Sequence, residues 1–171
     1  CIRDRINAAA EGAIAIGFYK GSNNTATLAT GSVTQGDIVV SSFTGSTDSP
    51  TASTSNINIE KDASVTGDVI VKFGTAALTG AEGAAVDGDL IAANGSATVA
   101  EELTFNNVSV GAAAVATGDD SEAATNGNVT VTGELNAATL TLNTADSAFT
   151  NEGTVKFNTI TFACLLYTSD A

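Results

Sequence analysis

Apolar and polar residues alternate along most of the chain in short runs, many of them opened by a glycine and a small polar residue. Gly36-Asp37-Ile38-Val39-Val40, Gly67-Asp68-Val69-Ile70-Val71 and Gly88-Asp89-Leu90-Ile91-Ala92 share one pattern. Gly127-Asn128-Val129-Thr130-Val131 and Gly153-Thr154-Val155-Lys156-Phe157 repeat it. A second set alternates strictly: Ile57-Asn58-Ile59, Leu103-Thr104-Phe105, Leu140-Thr141-Leu142 and Ile160-Thr161-Phe162. A period of two predicts β-strands, because successive side chains leave a strand on opposite faces.

The runs also recur at a longer interval. The Thr-Asn pairs that begin at Thr125 and Thr150 are 25 residues apart, and the strands centred on Thr141 and Thr161 are 20 apart. A period in the twenties built from short strands predicts a solenoid, one coil per repeat, since a single coil cannot bury its own apolar face. The expected fold is therefore all-β, a right-handed parallel β-helix. Val, Ile, Leu and Phe should point inward and Thr, Asn, Asp and Lys outward, with Gly and Asn at corners that need positive φ. Val129, Val131, Val155 and Phe157 are expected in one sheet, and Leu140, Leu142, Ile160 and Phe162 in the next. The competing arrangement is a hairpin pairing 128–132 with 138–142 through Gly133-Glu134. Residues 45–55, rich in Ser and Thr and holding Pro50, and residues 111–126, rich in Ala and Gly, read as loops leaving the coil; a linker between two domains is the alternative.

Composition agrees with strands. Thr, Val and Ile number 25, 14 and 10, against 9 Leu, 8 Glu, 4 Lys, 2 Arg and no Met. That balance suits pleated sheet and opposes a helical bundle. One proline fits coils that need their N–H groups for pairing, and 30 alanines fit tight corners.

Charge and chemistry then narrow the function. With 19 acids against 6 bases the net charge is −13, which excludes nucleic acid as a partner because phosphate binding needs Lys and Arg. The absence of His removes the commonest general base and transition-metal ligand. Carboxylate pairs occur at Asp87/Asp89, Glu101/Glu102 and Asp119/Asp120. If Asp87 and Asp89 shared a strand they would face one side, as part of a glycosidase pair or a calcium site. A solvated acidic corner is the reading adopted. No catalytic, cofactor-binding or metal-ligating residue is assigned, and no cofactor is expected. Thr25-Ala26-Thr27, Thr139-Leu140-Thr141 and Thr159-Ile160-Thr161 resemble the arrays of ice-binding proteins, but Leu140 and Ile160 should point inward and the spacing elsewhere is irregular. They are read as ordinary surface threonines. No run of 18 apolar residues exists between residues 6 and 163, so no membrane span is expected there.

The two ends differ from the interior: both Arg and both Cys lie in residues 1–5 and 164–171. TGT-ATA-AGA-GAC-AG encodes Cys1-Ile2-Arg3-Asp4, and its reverse complement encodes Cys164-Leu165-Leu166-Tyr167. This DNA resembles the transposon end used to build sequencing libraries, so both flanks read as scars. The expected natural insert is residues 6–163, open at both ends. It holds no Cys, and hence no disulfide framework.

The stretch from Gly127 to Ala163, and phrases such as Thr150-Asn151-Glu152-Gly153-Thr154-Val155, resemble the passenger region of bacterial autotransporters and filamentous haemagglutinin-like adhesins. Residues further upstream resemble it more loosely. Ala13-Ile14-Ala15-Ile16-Gly17 also resembles one head repeat of trimeric autotransporter adhesins, in a single copy. The resemblance implies a non-catalytic adhesin or stalk segment on the bacterial outer surface, with glycans or proteins as partners. Separately, the apolar alternation Ile160-Thr161-Phe162 runs to the end of the expected insert, so an uncapped last coil and end-to-end self-association are expected. The alternatives are a carbohydrate-active enzyme on the same scaffold and tandem Ig-like surface modules.

Overall fold

The structure, a computed structural model, describes residues 14–18, 24–42, 54–113, 115–117, 120–122 and 124–163. Both flanks, with Cys1 and Cys164, lie outside the described residues, as does Ala13. Every regular element among the described residues is a strand.

Strand β1 (Ile14–Phe18) precedes three coils of three strands each. These are β2 (Asn24–Leu28), β3 (Val33–Thr34) and β4 (Ile38–Ser42); β5 (Thr54–Ile59), β6 (Ser64–Val65) and β7 (Val69–Val71); and β8 (Thr75–Gly80), β9 (Ala85–Val86) and β10 (Leu90–Ala92). A fourth coil holds β11 (Ser96–Val99), β12 (Glu102–Thr104) and β13 (Asn107–Val110). A hairpin of β14 (Val115–Thr117) and β15 (Asp120–Glu122) follows. Two coils of two strands complete the chain: β16 (Asn128–Val131) with β17 (Glu134–Leu142), and β18 (Ala148–Asn151) with β19 (Thr154–Phe162).

Equivalent strands of successive coils pair side by side and parallel. Sheet I runs β1-β4-β7-β10-β13-β17, with β12 and β19 also on β17; sheet II runs β2-β5-β8-β11-β16-β18; sheet III is β3-β6-β9. The parallel solenoid-like course thus agrees with the sequence, and the hairpin of 128–132 with 138–142 is absent: β16 pairs with β11 and β18, and β17 with β12, β13 and β19.

Register explains the core. Ile38, Val69, Leu90, Val108 and Leu140 form one inward column of sheet I, and Val40, Val71, Ala92 and Val110 a second, all buried. Ile57, Leu78, Val99 and Val131 do the same in sheet II. Each fully buried Val, Leu or Ile contributes about 1.5–3 kcal/mol. Phe105, Ala137 and Phe157 stack in line, the alanine giving room between two rings, and Phe157 meets Phe149 edge to face at 5.5 Å. The inner columns stop at Ile160 and Phe162, 54% and 61% exposed, because no described rung lies beyond β19. One inward hydroxyl breaks the apolar rule: Ser55 is fully buried and its Oγ has no partner.

The expected assignment of Val155 and Phe157 to the sheet of Val129 is overturned. β19 pairs with β17 at a constant offset of 20, so Val155 lies beside Leu135 and Phe157 beside Ala137 in sheet I, while Val129 lies beside Phe149 in sheet II. The match between the Thr-Asn pairs, 25 apart, is not a structural repeat: Thr125 and Asn126 precede β16, whereas Thr150 and Asn151 lie within β18. The 20-residue offset is the structural one.

The Gly-Asp motif is a corner device in three consecutive coils. Register carries Ile38 to Val69 to Leu90, so Gly36, Gly67 and Gly88 stack, as do Asp37, Asp68 and Asp89. A Cβ on Gly67 would overlap Gly36 and the Asp37 carboxylate; one on Gly88 would overlap Gly67 and Asp68. Each carboxylate fills the space that the glycine leaves. Asp37 Oδ1 accepts the N–H of Asp68 at 2.9 Å, Asp68 Oδ1 that of Asp89 at 2.8 Å, and Asp89 Oδ1 that of Asn107 at 3.0 Å. A second corner column, Gly31, Asp62 and Gly83, holds φ of 67°, 56° and 79°, the left-handed region that Gly and Asp enter at least cost.

Differences in coil length concentrate at one corner. The offset from the first to the second coil is 31 in all three sheets, so the extra residues fall between β4 and β5. From the fourth to the fifth it is 32 throughout, which places the other insertion between β13 and β16, again on the way from sheet I to sheet II. The first loop expectation overshoots, since Thr54 and Ser55 already belong to β5 while residues 43–53 lie outside the described residues. The second, 111–126, is not an irregular loop. It carries the antiparallel β14–β15 ladder and an Ala112–Thr125 bridge, because the insertion pairs with itself.

The corner makes a graded prediction. Gly88→Ala should cost about 1–3 kcal/mol, an overpacking penalty. Asp68→Ala should cost about 1.5–3 kcal/mol, the value of a hydrogen bond to a charged group. Asp68→Asn, which keeps Oδ1 and removes a charge from the column, should be close to neutral. Urea melts of the three variants check the ranking; equal losses for Asn and Ala at position 68 would contradict it.

Candidate functional surfaces

The carboxylate pairs singled out in the sequence do not converge on a site. Asp87 and Asp89 do not share a strand: β9 ends at Val86 and β10 begins at Leu90, with the Gly88 corner between. Asp87 is exposed, whereas Asp89 is half-buried and accepts from both the backbone N–H and Nδ2 of Asn107. Glu101 and Glu102 are exposed. Asp119 lies outside the described residues, and Asp120 is in the hairpin strand β15. Among the described residues no group of three or more acidic or thiol side chains could hold a metal ion.

Among the described residues an open depression of about 310 Å³ lies over the bend of sheet I. Here β17 and β19 run on as continuous nine-residue strands where the fourth coil has the separate β12 and β13. Asn106, Ala138 and Asn158 lie in register across the bend. Ala138 between two asparagines leaves the dip, and Thr104, Asn136 and Lys156 line its side.

Lys156 Nζ donates to Glu134 Oε1 at 2.6 Å, and Asn136 Nδ2 donates to the same oxygen at 3.3 Å. The hydrogen bond from Lys156 holds the Glu134 carboxyl below its ordinary value of 4.5, with Asn136 and the lysine's charge adding to the effect. Glu134 in turn raises Lys156 above 10.5. An ammonium held charged in this way is no general base at neutral pH. What the groove presents is side-chain amides, a hydroxyl and a lysine ammonium already paired with Glu134.

The hairpin is anchored by a second polar cluster. Thr144 Oγ1 lies 2.5 Å from Ser147 Oγ and donates to Asn126 Oδ1 at 2.7 Å. Asn143 Nδ2 donates to Gly111 O at 2.9 Å, and Thr125 Oγ1 to Ala93 O at 2.7 Å. Gly111, with φ of 76°, has no room for a Cβ against Ser147 and Thr144. Sequence reasoning missed this cluster because its members come from three turns far apart in the chain and carry no motif.

No family model matches the chain, and no curated protein and no solved structure is significantly similar to it. Among the described residues no helix is long and apolar enough to cross a membrane.

The ion pair predicts a pH dependence. A carboxyl whose pKa is lowered by folding stabilises the fold above its unfolded value and ceases to do so as pH falls through the folded one. Lys156, raised, contributes below 10.5 and is lost as pH rises through its folded value. The pair therefore acts across neutral pH and lapses at both extremes. A melting-temperature difference between the natural chain and Lys156→Met should be small and positive at neutral pH and vanish in strong acid. A difference that persists unchanged into strong acid would have another cause.

Proposed function

We propose that the chain is a non-catalytic segment of a bacterial surface protein, an adhesin or stalk wound as a right-handed parallel β-helix and displayed outside the cell. Strand-to-parallel-strand crossovers are right-handed in nearly every known sheet, which supports the winding. The observation that carries the functional reading is the placement of the extra residues. Both length differences fall at one corner of a regular rod, and the described insertion is a hairpin held by its own polar anchor. A rigid scaffold with projecting loops is the arrangement that binding proteins share. The acids support it too, since Asp37, Asp68 and Asp89 accept backbone N–H groups from the next coil and do not face a substrate groove. Partners would be glycans or proteins of a neighbouring surface, and nucleic acid is disfavoured by the charge.

Beads coated with the chain should adhere to cultured cells or to immobilised glycans. Replacing residues 113–124 by a Gly-Gly turn should lower adhesion while leaving the circular dichroism of the rod intact. Release of reducing ends from polysaccharides would instead favour the carbohydrate-active reading of the groove.

Self-association belongs to the same proposal. β19 carries the half-exposed Ile160 and Phe162 on an edge that no described strand covers, a template for another chain. Sedimentation should show oligomers that Ile160→Lys and Phe162→Lys together convert to monomers. A monomer at high concentration before substitution would count against this contact.

A further inference from the structure

The strands of sheet II carry no charged side chain on their outer face. Register aligns Thr25, Asn56, Ala77, Thr98, Thr130 and Thr150 as one outward column. Beside it runs Thr54, Thr75, Ser96, Asn128 and Ala148. On the other flank are Thr27, Asn58 and Thr79. All are exposed or half-buried. None is charged and none is aromatic, in a chain with 19 acids.

The columns are also held in place. Asn56 Nδ2 donates to Thr25 Oγ1 at 3.4 Å, Thr79 Oγ1 to Asn58 Oδ1 at 2.9 Å, and Asn128 Nδ2 to Ser96 Oγ at 3.5 Å, each from one coil to its neighbour. Threonine is stiff at χ1, so its hydroxyl and methyl keep fixed directions on a strand. The result is a two-dimensional grid of hydroxyls and amides. Its repeats are about 4.8 Å along the rod and about 6.6 Å across it, the strand spacing and twice the rise per residue of a parallel strand.

A surface of this kind fits a ligand that is itself uncharged and periodic. Each hydroxyl both donates and accepts hydrogen bonds, with one O–H where a water molecule has two. The face carries no ring on which a sugar could stack, which sets aside a polysaccharide ribbon. Ionic side chains, whose hydration would oppose an ordered water layer, are confined to the other faces and corners along these columns. We propose that the outer face of sheet II binds the ordered water of an ice surface. Of the three Thr-x-Thr runs in the sequence only Thr25-Ala26-Thr27 belongs to this grid; those at 139–141 and 159–161 lie in sheet I.

The test uses the whole chain, frozen slowly in dilute buffer with a fluorescent label. The natural chain should be taken up into a growing ice front and should slow recrystallisation of fine-grained ice. Thr98→Lys and Thr130→Lys, at the centre of the grid, should each lose uptake while keeping the circular dichroism and melting temperature of the parent. Thr141→Lys, on the outer side of sheet I, should keep it. Exclusion of the natural chain from ice, or equal uptake by all four proteins, would overturn the proposal. So would retention on crystalline cellulose or chitin without uptake into ice.

Discussion

The backbone hydrogen bonds that join each coil to the next set the terms for everything else in this molecule. They are parallel and in register over most of the described chain, with offsets that stay constant through a whole coil in most steps. A residue is therefore stacked on its counterpart one strand spacing away, about 4.8 Å. At that distance a corner must be glycine if the neighbouring corner is to approach, an inward position must be apolar if its neighbours are, and an acid must find a donor. The stacked glycines, the carboxylates capping N–H groups and the alanine between two phenylalanines are three answers to the same demand.

That demand made part of the fold legible in the sequence. Gly36-Asp37, Gly67-Asp68 and Gly88-Asp89 look alike because they occupy the same corner. Gly127-Asn128 and Gly153-Thr154 look like further copies but serve other corners: Gly127 precedes a sheet II strand, and Gly153 stacks on Gly133 between sheets II and I. A glycine records that something passes close by and does not record which sheet follows. The same ambiguity put Val155 in the wrong sheet, since nothing local distinguishes a nine-residue strand bent over Phe157 and Asn158 from two short ones. The hairpin was hidden for another reason. Ala116, Asp120 and Glu122 carry little strand propensity, so the pairing of 115–117 with 120–122 depends on the register that the corner imposes.

The surface was less legible than the core. Core columns announce themselves as alternating Val, Ile and Leu. The grid on sheet II and the anchor of Asn126, Thr144 and Ser147 are assembled from common polar residues that lie 18 to 32 positions apart. Their meaning arises only when coils of unequal length are brought into line, and the unequal lengths are what obscures a repeat in one dimension.

The fourth coil changes the outline of the rod. Sheet III ends with β9, and β12 turns instead onto the extended edge of sheet I, with Leu103 packed where a side chain on Gly80 would sit. Three strands surround the core in the first coils and two in the last. The described coils therefore differ in outline, and a contact between the first of them in one copy and the last in another would set a three-sided outline on a two-sided one. If two copies meet through β19, as proposed above, each presents the same edge to the other. Such a contact is two-fold symmetric and closes at a pair, whereas a head-to-tail contact would run on as a filament.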